Sequence, residues 1–77
     1  MIIFSPHALL KLNQRNISIK SVKETLKSPD YNVFSYSGRE MAYKKFGKLY
    51  LKVVYKKEEK NVVVITQHWT EKPKLKK

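Results

Sequence analysis

The stretch Leu49-Tyr50-Leu51-Lys52-Val53-Val54-Tyr55-Lys56, followed after a charged turn by Asn61-Val62-Val63-Val64-Ile65-Thr66-Gln67-His68-Trp69, decides how this chain folds. Its residues alternate with a period of two, and its valines, isoleucine, tyrosines and threonine suit the pleated, half-buried surface of a sheet. The two runs therefore read as a hairpin. Shifting its pairing by one residue exchanges the two sides of a strand, so register decides which side chains share a face. A two-residue Glu58-Glu59 turn sets Tyr55 opposite Val62 and places Thr66 and His68 with Leu49, Leu51 and Val53. A three-residue turn through Lys60 instead sets Tyr55 opposite Val63 and Leu51 opposite Gln67. Leu49, Leu51, Val53, Tyr55, Val63, Ile65 and Trp69 then form one apolar face, and Tyr50, Lys52, Val54, Lys56, Thr66 and His68 form the other. The second register is preferred, because burying His68 among leucines would require a neutral, hydrogen-bonded ring.

Upstream of this hairpin the period of two continues through Tyr31 to Tyr36 and Arg39 to Phe46, with turns at Ser37-Gly38 and Gly47-Lys48. A two-residue Gly47-Lys48 turn brings Arg39, Met41, Tyr43 and Lys45 onto the face of Lys52. Before Tyr31 the period becomes 3.6. Ser5 is an N-cap followed by Pro6 at the first helical position. On that helix Ala8, Leu9 and Leu12 gather on one side, and His7, Lys11, Gln14 and Arg15 on another. Asn16 reads as a left-handed terminator. Ser18 caps a second helix from Ile19 to Lys27, with Ile17 packing on Val22 and with Val22, Leu26 and Ile19 as its buried residues. Ile2 to Phe4 is a short first strand. The expected architecture is α+β: a short N-terminal strand, two helices, then an antiparallel four-stranded meander with the helices packed on one face. One domain is expected over residues 1–70, with a basic, flexible tail over 71–77.

Of 77 residues, 17 are Lys or Arg and six are Asp or Glu, giving a net charge of +11. So much charge on so small a body implies an anionic partner, and nucleic acid or an acidic protein suits it. No apolar run is long enough to span a membrane and no signal-peptide pattern opens the chain, so a cytoplasmic protein is expected. With no cysteine, thiolate-ligated metal and disulfides are excluded. The six acids show no paired spacing, and two glycines cannot supply a phosphate-binding loop or a nucleophile elbow. No cofactor or metal is expected. Arg39, Tyr43, Lys45, Tyr50, Lys52 and Lys56 form a basic, tyrosine-lined face suited to single-stranded RNA, where phosphates meet cations and bases stack on rings. His7 and His68 are the side chains able to move protons near neutrality. His7 lies in the first turn of a helix, where the dipole favours the neutral ring of a general base. With neighbouring cations, such a histidine can promote attack of a ribose 2′-hydroxyl on its phosphate.

The order Phe4-Ser5-Pro6-His7-Ala8, Arg15, Ile17-Ser18, Val22, Leu26 and Pro29, then Val53-Val54-Tyr55 and Val62-Val63-Val64-Ile65-Thr66, resembles the domain-of-unknown-function family 4258. That family looks similar to RelE-like toxins and, more remotely, to the barnase, EndoU and colicin ribonuclease assemblage. The resemblance implies a RelE-like fold, RNA binding on the sheet or metal-independent RNA cleavage, and a toxin-like protein that works at a ribosome or pairs with an acidic antitoxin-like partner. It carries His7, Arg15 and Thr66 over as candidate active positions. His68 joins them by strand parity alone. A non-catalytic nucleic-acid binder and an interaction module remain the alternatives.

Overall fold

The computed structural model describes residues 1–35 and 37–73. Its elements run β1 (Ile2–Phe4), α1 (Pro6–Gln14), α2 (Ile19–Lys27), β2 (Tyr31–Phe34), β3 (Glu40–Phe46), β4 (Leu49–Glu58) and β5 (Asn61–Thr70). Both helices start where their caps direct. The Ser5 hydroxyl accepts from the Ala8 amide and Ser18 from Ser21, each satisfying one amide that lacks an intrahelical partner. Asn16 takes φ 55°, the left-handed conformation that Asn tolerates better than most residues, and turns the chain from α1 into α2.

The fold is α+β with a five-stranded mixed sheet in the order β1-β5-β4-β3-β2. The expected four-stranded antiparallel meander is incomplete as a description. β2 to β5 pair antiparallel in succession, but β1 returns to lie parallel to β5, with Ile2, Ile3 and Phe4 opposite Val62, Val63 and Val64. Two helices separate β1 from the rest of the sheet, enough chain for the crossover that a parallel neighbour requires. α1 lies against β5 and β1, and α2 against β4 and β3. Ala8, Leu12, Ile17 and Val22 from the helical layer meet Ala42, Leu51, Val53, Tyr55 and Val64 from the sheet. In the Tyr55 end of this core the phenol hydroxyl donates to Glu40 Oε1 (3.0 Å), so the buried carboxylate is not left unpaired.

Neither anticipated register of the last hairpin occurs. The turn is Glu59-Lys60, with Glu59 at φ 55° and Glu58 opposite Asn61, so Tyr55 meets Val64. Val62 and Val64 therefore point inward in place of Val63 and Ile65. Then Ile65 is inserted as a bulge, and Val54 faces Thr66. From there on Lys52 faces His68 and Leu51 faces Trp69, the parity that the three-residue turn would have given. The bulge restores the expected face for Thr66 and His68.

Three expected core positions are on the surface. Leu9 is 52% exposed because α1 lies near the sheet edge, where Ala8 and Leu12 already occupy the narrow space above β5. Ile19 is 45% exposed, and Thr25, its hydroxyl bonded to the Ser21 carbonyl, takes the buried place beside Val22. Leu49, at the end of β4 opposite Phe46, is also exposed. β2 is shorter than expected, ending at Phe34, and Ser35 donates from both its amide and its hydroxyl to the Arg39 carbonyl where the β2–β3 loop begins. Tyr36, expected as the last residue of that strand, and positions 74–77 of the expected basic tail lie outside the described residues. Among the described residues no helix is long and apolar enough to cross a membrane.

Candidate functional site

Directly opposed residues on neighbouring strands point to the same side of a sheet, about 5 Å apart. On the side away from the helices this rule strings together Tyr31, Tyr43, Lys52 and His68, consecutive cross-strand partners from β2 to β5. The row spans three strand spacings, about 14 Å. Val33, Met41, Val54 and Thr66 form a parallel row on one side of it, and Lys45, Tyr50 and Thr70 on the other. The Lys52 ammonium lies 5.8 Å from the centre of the Tyr43 ring, and the Tyr31 and Tyr50 rings lie 5.9 Å apart, tilted by 42°. The open face is thus aromatic toward β2 and cationic toward β5.

Arg15 extends the row past the last strand. β1 pairs with β5 only as far as Val64, which leaves the following stretch of β5 without a strand on that side. α1 ends beside it. The Arg15 carbonyl accepts from Trp69 Nε1 (3.1 Å), which fixes the backbone, and its guanidinium donates to the Gln67 carbonyl (2.9 Å) and to Thr66 Oγ1 (3.4 Å). Below, fully buried Gln67 donates from Nε2 to the Ala8 carbonyl at 2.8 Å, tying the first turn of α1 to the same strand. Among the described residues its Oε1 has no hydrogen-bond partner. Ser5 completes the seam, donating from its amide to the Val64 carbonyl and from its hydroxyl to the Ile65 carbonyl.

His68 sits between two cations. Partial burial, then the Lys52 ammonium, then the Arg15 guanidinium hold its pKa below the ordinary value. All three disfavour the imidazolium, so the ring is neutral at neutral pH and can accept a proton. A histidine depressed in the folded state binds fewer protons than the unfolded chain below about pH 6.5, so its contribution to stability is present above that pH and lost as pH falls.

Arg15, Thr66, Lys52 and His68 are therefore brought together, with Tyr43 under Lys52 and Tyr50 one row away. Lys45 lies in the Tyr50 row, its amide held by Asp30 Oδ2 at 2.8 Å. Lys56 is spent on an ion pair with Glu58 (2.9 Å). Arg39 immediately precedes β3, and its carbonyl accepts from the Ser35 amide in the register of β2 and β3, one pair beyond Phe34 and Glu40. His7 is exposed in the first turn of α1, and among the described residues no hydrogen bond links it to Arg15, Thr66 or His68. Tyr31 was overlooked as a site residue. Its signal is parity with Tyr43, which requires the length of the β2–β3 loop. Among the described residues no three His, Asp or Glu side chains cluster so as to hold a metal ion.

A family model described as Domain of unknown function (DUF4258) matches residues 4–67, most of the chain, so the chain belongs to that family. No curated protein and no solved structure matches it.

Proposed function

We propose that this DUF4258 domain binds single-stranded RNA across the open face of its sheet and cleaves it by a metal-independent, toxin-like reaction at His68. One observation carries the reading: the His68 imidazole lies between Lys52, its partner on β4, and Arg15, which holds the neighbouring Thr66 and Gln67, at the cationic end of an aromatic row. Tyr31 and Tyr50, both partly exposed, offer ring faces to bases, Tyr43 is buried and carries Lys52 over its ring, and the cations offer charge to phosphates.

In the reaction, His68 accepts the proton of a ribose 2′-hydroxyl. The 2′-oxygen bonds to the adjacent phosphorus, and the bond from phosphorus to the 5′-oxygen breaks. That leaving oxygen takes a proton from water, and a 2′,3′-cyclic phosphate remains. Lys52 and Arg15 stabilise the charge that builds on the non-bridging oxygens, and the Thr66 hydroxyl, already bonded to Arg15, orients the phosphate. His7 is exposed in the first turn of α1, about two helical turns from Arg15, and takes no step in this reaction.

A second reading, binding without cleavage, is favoured by the absence of any hydrogen bond between His7 and this cluster. Incubation of a single-stranded RNA and the same sequence as DNA in EDTA separates the two. Cleavage of RNA alone, lost in His68→Ala, supports the proposed reaction. RNA that is bound but survives leaves the binder, and cleavage of either strand only after metal is added contradicts the mechanism.

A further inference from the structure

α2 carries a second surface, on the helical side of the sheet, that the RNA reading does not use. A shallow cavity of about 430 Å³ is lined by Ile19, Lys20, Lys23, Glu24 and Lys27. Lys20, Lys23 and Lys27 follow one another at i, i+3 and i+7, a single stripe along the helix that spans about 10 Å. Among the described residues the one ion pair is Lys56 with Glu58, and these three lysines have no acidic partner there, although Glu24 lies in their midst. Ile19, at the head of the stripe, is 45% exposed beside them. Ile19 supplies the one apolar contact in this stripe of cations, a surface a partner can bury to its gain.

We propose that this stripe docks an acidic amphipathic helix of a partner protein, one apolar side chain of which fills the cavity against Ile19 while carboxylates one and two turns away meet Lys20, Lys23 and Lys27. Two helices packed side by side repeat their ridges every three or four residues, which is the spacing the lysines offer. Complementary charge sets the orientation and speeds the encounter, and the buried apolar contact supplies the affinity. A second copy of this chain is a poor occupant, since it would present the same lysines from a body of charge +11. Nucleic acid is equally poor, because no aromatic ring lines the cavity. The site is independent of the open face and leaves that face free.

The test is an amide-shift titration of the whole 15N-labelled protein with a synthetic 15-residue helical peptide bearing one central leucine and glutamates three and four residues to either side. Shifts confined to α2 are expected, with affinity falling about tenfold or more in the Lys20→Glu, Lys23→Glu, Lys27→Glu triple variant and, separately, when the peptide leucine is replaced by serine. The protein side of the first comparison concerns exposed residues, and the second leaves the protein unaltered, so misfolding cannot imitate the result. Equal binding by the serine peptide, or displacement of the peptide from α2 by single-stranded RNA or by anionic phosphatidylglycerol vesicles, overturns the proposal.

Discussion

The two halves of β5 are built to different ends. From Asn61 to Val64 the strand lies between β1 and β4, and Val62 and Val64 face the helices. From Thr66 to Thr70 it is paired by a strand on one side only, bordered on the other by Arg15, and it turns Thr66 and His68 to the open face. A single residue, Ile65, separates them. The first half is stabilised by burial and by two ladders. The second is held by side chains that also serve the candidate site. Polar function collects where a strand loses a neighbour, because unsatisfied carbonyls there can hold a cation in place.

Inserting one residue between Ile65 and Thr66 should break the comparison most severely. With the bulge kept to one residue it moves Thr66 to Thr70 by one place along β4, turning Gln67 and Trp69 outward and His68 inward, and the expected loss is more than about 4 kcal/mol or failure to fold, read by urea denaturation. Leu51→Ala, under the seam and fully buried, should cost about 2 to 5 kcal/mol with the sheet pairing retained in amide exchange. Gln67→Ala strands the Ala8 carbonyl and should cost about 1 to 3 kcal/mol. Arg15→Ala strands the Gln67 carbonyl and should cost about 1 to 3 kcal/mol, and Lys52→Ala should leave folding almost intact. Each of these two should weaken RNA binding and reduce the slope of log affinity against log salt by about 0.7 if it removes one phosphate contact.

The smallest effect is electrostatic and concerns the second half alone. Lowering the pH from 7 through 6.5 should erode stability as His68 is forced to charge between Lys52 and Arg15, and His68→Gln should flatten that slope. In Lys52→Ala the His68 ring should titrate at higher pH than in the wild type, as followed by imidazole proton shifts. A titration unchanged by that substitution would leave burial and the Arg15 guanidinium as the causes.

Much of this was legible from local chemistry. Ser5-Pro6 and Ser18 mark the helix starts because capping acts within four residues, and Gly47, at φ 68°, closes the β3–β4 turn as expected. What escaped depends on distant partners. That β1 joins β5 in parallel is decided by the packing of α1, since Ile2 to Phe4 is equally apolar at any edge. The bulge at Ile65 is invisible because Val62 to Ile65 are four consecutive β-formers, and no alternation marks where the phase slips. Thr66 and His68 were nevertheless placed on the right face, since a two-residue turn plus one bulged residue has the parity of a three-residue turn. Ile19 was misplaced for the opposite reason. Its spacing from Val22 suits a core position, but the hydrogen-bonded Thr25 could be buried instead, and sequence hydrophobicity ranks those two the other way round.

The central claim is that RNA is held by the second half of β5 together with Lys52 and Arg15. Titrating the 15N-labelled protein with a short single-stranded RNA tests it most directly. The expected result is that amide and side-chain signals of Arg15, Tyr43, Lys52, Thr66 and His68 shift together while those of Val62 to Val64 stay in place. Shifts centred on α2, or spread evenly along both halves of the strand, would contradict it.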